Sequence, residues 1–128
     1  MKKFGNLESL LFKVGNYVDG ASNLRIVEIW SQGQILTPVD TAAYLPSYIH
    51  ALKRDLLWVQ DERSMSVEWF LNYGETTDDI SASATKRSDR VSIEFKENRV
   101  CPPTVSIDKQ ELEATFDSVI QYLERAHA

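Results

Sequence analysis

The stretch "YLPSYIHALKRDLLWV", residues 44–59, carries the most regular pattern in the chain. Leu45, Ile49, Leu52, Leu56 and Val59 recur at intervals of four, three, four and three, which lines them along one helical face. Pro46 belongs in the first turn of such a helix, where its missing N–H is harmless and its ring presets the backbone. The spacing predicts a helix that starts near Leu45 and ends near Gln60. His50 and Trp58 fall off the apolar stripe. His50 is therefore expected at solvent or at the helix's edge, and Trp58, just ahead of Asp61 and Glu62, is a candidate rim or interface residue.

On either side of this helix the period changes to two. Upstream, Leu10, Phe12 and Val14 alternate with Leu11, Lys13 and Gly15, as in a strand with one buried face. "NLRIVEIWSQGQILTP", residues 23–38, reads as two strands about a tight turn at Gln32-Gly33, closed by Pro38. Downstream, Met65, Val67, Trp69, Leu71 and Tyr73 alternate with Ser66, Glu68, Phe70 and Asn72. Helix is the rival reading there, but the crowding of Trp, Phe, Tyr and Val and the stop at Gly74 favour a strand. Ile80, Ala82 and Ala84, then Val91, Ile93 and Phe95, flank the turn-like "KRSD" and form a hairpin.

"NRVCPPTVS", residues 98–106, is read as a connection, because Pro102 and Pro103 lack the ladder donor of a central strand. The last segment offers Asp108 as N-cap, Glu111 three residues later as in a capping box, and Ile107 to staple against Leu112. Leu112, Phe116, Val119, Ile120 and Leu123 form its stripe. The expectation is one α+β domain over residues 1–128: a mostly antiparallel sheet of about six strands with two helices packed on one face.

Composition narrows the function. A hydrophobic fraction of 43% and a charged fraction of 26% match an ordinary folded domain, so disorder is not favoured. Nineteen acidic against fourteen basic residues leave a net charge of −5, which argues against a general nucleic-acid binder. Glu8, Lys13 and Asn16 interrupt the first apolar run before it reaches signal-peptide length, and no later run approaches a membrane span. Cys101 is the sole cysteine, which excludes an internal disulfide and a cysteine-rich zinc site. A cytoplasmic protein with no membrane contact is expected.

No chemical motif emerges. Glu75, Asp78 and Asp79 could supply hard oxygen ligands, but their spacing is not that of a calcium loop, and the same residues make an ordinary solvated turn. Cys101 has only His50 and His127 as possible bases and reads as a small buried hydrophobe. There is no nucleophile elbow and no glycine-rich phosphate loop. Neither a metal nor a cofactor is expected, and catalytic residues are not assigned.

Charge distribution says more. Residues 61–79 hold a local net of −5, against +2 over residues 86–99. If Asp61, Glu62, Glu75, Asp78 and Asp79 gather at neighbouring strand ends, they form a negative patch that steers a basic partner; the plain alternative is a solvated, charged loop surface. Trp58 would stand beside that patch.

"GQILTPVDTAAYLPSYIHALKRDL", residues 33–56, and "DDISASATKRSDRVSIEF", residues 78–95, resemble small bacterial immunity proteins of polymorphic toxin and contact-dependent growth inhibition systems. The two segments cover about a third of the chain. The resemblance implies a cytoplasmic, non-enzymatic protein that binds one cognate toxin domain, often a basic nuclease, and blocks its active site or substrate surface. No family catalytic residue carries over. Two other classes stay open: a chaperone or adaptor that docks an extended segment on a sheet edge or beside the helices, and a small enzyme that uses carboxylates in a deep cleft.

Overall fold

The computed structural model describes residues 1–38, 41–74, 77, 80–96 and 102–127. Within them the elements run β1 (Lys2–Gly5), β2 (Leu11–Tyr17), β3 (Leu24–Ser31), β4 (Gln34–Ile35), β5 (Ala42–Tyr44), α1 (Leu45–Gln60), β6 (Ser66–Phe70), β7 (Ala82–Arg87), β8 (Arg90–Phe95), β9 (Thr104–Asp108) and α2 (Lys109–His127). The α+β class, the antiparallel pairing and the two helices are those expected. The described strands number nine and divide between two sheets. In the first the order is β1-β2-β3-β4, with β5 also on β3; in the second it is β6-β7-β8-β9.

Helix α1 is the passage from one sheet to the other. Pro46 lies in its first turn, and Tyr44, the last residue of β5, is its N-cap. Leu45, Ile49, Leu52 and Val59 are buried as the spacing requires, and His50 is exposed. α2 packs on α1 and also lies against β1 of the first sheet and β8 and β9 of the second. The core is therefore a single cluster to which both sheets and both helices contribute.

A ladder of rings shows how. Phe12 of β2 meets Phe116 of α2 at 5.9 Å between centroids, Phe116 meets Phe70 of β6 at 5.8 Å, and Phe70 meets Trp58 of α1 at 5.5 Å. Tilted and edge-on contacts of this kind are favourable beyond their buried area.

The N-cap of α2 is as expected: the Glu111 N–H donates to Asp108 Oδ1 at 3.1 Å, while Ile107 and Leu112 are both buried. Asp108→Ala should cost about 1 kcal/mol. Urea unfolding measures this, and an unchanged midpoint would remove the cap from the account.

The segment read as a connection needs correction. Residues 98–101, Cys101 among them, lie outside the described residues, but Thr104–Asp108 is a strand. Pro102 and Pro103 sit just before it, where their missing donors break no ladder, and the Pro103 carbonyl accepts the Phe95 N–H at 2.7 Å. β9 is an edge strand, the one place in a sheet that tolerates such neighbours.

Candidate interaction surface at the end of the first helix

α1 ends where the acidic segment begins, and a lysine from the second sheet holds that end. Lys86 of β7 is buried, and its ammonium donates to the carbonyls of Trp58 and Asp61. Among the described residues the Trp58 carbonyl otherwise receives only a long bond, 3.3 Å, from the Asp61 N–H of the cap, and the positive charge suits that end of the helix dipole. The same ammonium stands 4.5 Å from the Trp58 ring centroid. Burial pushes the Lys86 pKa down, with Asp61 opposing.

This fixing places three of the candidate contacts. Trp58 is half-buried: its ring packs on Phe70 and its indole N–H donates to Ser64 Oγ at 3.1 Å. Asp61 accepts the Arg63 backbone N–H at 2.9 Å and Arg63 Nε at 3.3 Å. Those two bonds hold its carboxyl below the usual range, in that order of importance. Glu62 is exposed and, with Met65, lines a cleft of about 650 Å3 between this turn, the β7–β8 turn and the start of α2. Glu75, Asp78 and Asp79 lie outside the described residues.

The tryptophan that faces solvent is Trp69, at 63% exposure, together with Leu57 at 65% and Met65 at 52%. A strict alternation along residues 65–73 would have buried Trp69 and exposed Phe70. The reverse holds because β6 carries a bulge: Val67 pairs with Ala84 and Phe70 with Ala82, so three steps on one strand match two on the other. An extra residue in a strand re-aims every side chain beyond it. The sequence did hold a signal for this, since adjacent Trp69 and Phe70 cannot both enter one core face.

Leu57 and Trp69 each adjoin the Trp58–Phe70 contact, and Arg54 Nη2 ties the two segments by donating to the Asn72 carbonyl at 2.9 Å. Glu68, also exposed, stands beside Trp69 on the strand. Along the end of α1 and β6 the described residues therefore expose three large apolar side chains, Leu57, Met65 and Trp69, in the same segments as the acidic Asp61, Glu62 and Glu68 and the basic Arg54 and Arg63.

Beneath it lies a sealed polar group. Asp55 of α1 is 2% exposed. Its Oδ2 accepts the Tyr73 hydroxyl at 2.6 Å and the Leu71 N–H at 3.1 Å. Burial pushes its pKa up to about 6, against the lowering effects of those two bonds and of Arg54. Leu71 has a φ of 60°, a left-handed conformation uncommon for leucine, and the Asp55 bond and its own burial hold it there. Closed off from solvent in this way, Asp55 holds the loop after β6.

Among the described residues no group of His, Cys, Asp and Glu could hold a metal ion, and no helix is long and apolar enough to cross a membrane. Comparison with known proteins found no matching family model, curated protein or solved structure.

Proposed function

We propose that this chain is an immunity protein that neutralises a basic toxin domain, such as a nuclease, by binding and covering it. The observation that carries the reading is the exposure of Trp69, Leu57 and Met65 in the segments that also carry Asp61, Glu62 and Glu68. Large apolar anchors within a charged rim are the anatomy of a protein-binding surface. The acidic excess of residues 61–79, a net of −5, suits a partner whose own cleft is built for phosphates. The resemblance of residues 33–56 and 78–95 to immunity proteins points the same way.

Docking of a folded domain is favoured over capture of an extended client. β6 is an edge strand, but it is five residues long and interrupted by its bulge, a poor template for a further strand. The carboxyl with a raised pKa, which a small enzyme would need in a cleft, is instead sealed under the loop after β6.

The test is co-purification with toxin domains encoded beside this chain, followed by toxin activity in a saturated mixture. A complex with suppressed activity is expected; no complex at low salt, or full activity in the complex, would overturn the proposal. Within a complex, Trp69→Ala should raise Kd by roughly 30-fold or more through the off-rate. Glu62→Lys should slow association and flatten its salt dependence. Stopped-flow mixing separates the two effects, and unchanged rates in both variants would move the interface elsewhere.

A further inference from the structure

A second feature, independent of that surface, lies on the first sheet. Arg25 of β3 is a charged residue only 7% exposed. Its Nε donates to the Gly15 carbonyl at 2.7 Å and its Nη2 to the Tyr122 hydroxyl at 3.2 Å. The guanidinium carbon stands 4.9 Å from the ring centroids of both Tyr17 and Tyr122. Nη1 is buried with no hydrogen-bond partner, and among the described residues no carboxylate pairs with Arg25. Two rings and two neutral oxygens hold the group in place, yet a buried cation ordinarily also has a counter-charge.

Arg25 lines a cleft of about 460 Å3, a volume suited to a small molecule. Lys2 supplies a second cation and Asn16 an amide, while Val14 and Ile26 are apolar, and no acidic side chain lines it. Met1, exposed and unbranched, is the part of the wall able to swing aside. We propose that this cleft binds a small organic acid. Its carboxylate would pair with Arg25, where that residue lines the cleft, and with Lys2; its hydrocarbon part would lie against Val14 and Ile26. A guanidinium already fixed between two rings suits carboxylate recognition, because little side-chain freedom is left to lose.

Sodium benzoate is the probe, with inorganic phosphate as a second arm at matched ionic strength, each followed by NMR at the Arg25 Nε–H and the Tyr122 ring. Arg25 itself is left intact, since its removal would unpack both tyrosines. Benzoate should give a saturable shift at both groups. Its affinity should fall roughly fivefold in Lys2→Ala, as for one partly exposed ion pair, and stay unchanged in Lys3→Ala, whose residue does not line the cleft. A linear, non-saturating response to benzoate would overturn the site. Equal saturation by phosphate would overturn the assignment to an organic acid, as would equal benzoate affinity in Lys2→Ala and the parent.

Discussion

Replacing Phe116 with alanine is expected to lower the free energy of unfolding by about 3–5 kcal/mol, the range for deleting a buried aromatic ring from a core that cannot collapse around the gap. Geometry opposes collapse here: Phe116 stands between Phe12 of one sheet and Phe70 of the other, so closing the gap would require both sheets to move. Such a loss is a large share of the whole stability of an ordinary domain. Urea unfolding at constant protein concentration measures it. Asp117→Ala, an exposed change one residue further along α2, should stay within about 0.5 kcal/mol. A loss below 1 kcal/mol for Phe116→Ala would mean that this ring does not join the sheets.

The second large effect depends on pH. Asp55 has a folded-state pKa of about 6, above the ordinary carboxyl value of 3.8. Below both values the carboxyl is protonated in the folded and the unfolded chain and contributes no difference. As pH rises from about 4 to 6 the unfolded chain releases the proton first, so stability falls; above about 6 the loss is complete and level. A displacement of this size corresponds to about 3 kcal/mol.

The other carboxylates act in the same range, so the informative quantity is the difference between the parent and Asp55→Asn, which cannot ionise. Relative to that variant, the parent should lose about 2 kcal/mol between pH 4 and pH 7, the remainder being lost below pH 4. Parallel unfolding curves across that interval, with a constant difference, would show that Asp55 titrates normally. The loop anchored at Leu71 and Tyr73 should respond in step, because the ionised carboxylate is the form for which burial is unfavourable.

How much of this was legible in the sequence depends on the range over which each feature is determined. α1 was readable to its ends, because a four-three repeat and a proline in the first turn are local signals, and the cap of α2 was local too. β1 and β5 were not foreseen. β1 is made of mostly exposed residues with no apolar alternation, and β5 is three residues long, too short for any period to show. The division into two sheets is a matter of which strand pairs with which, and a strand's own residues do not state its partner.

The candidate surface was half legible. Asp61 and Glu62 were singled out from charge alone and Trp58 from its position off the stripe, and the structure places all three at the end of α1. Trp69 was hidden by a bulge that depends on the partner strand's register. Arg25 gave no sign at all, because its burial comes from Tyr17 and Tyr122, and Tyr122 lies 97 residues away.

The lysine that closes α1 bears on how a partner would be met. By gripping the Trp58 and Asp61 carbonyls from the second sheet, Lys86 sets the backbone from which Asp61 and Glu62 project before any partner arrives. Side chains presented from a fixed backbone lose less conformational entropy on docking than those on a free loop. Under the proposed function, the free and bound forms of this corner should superimpose closely, and recognition there should resemble two shaped surfaces meeting, with little of either folding around the other.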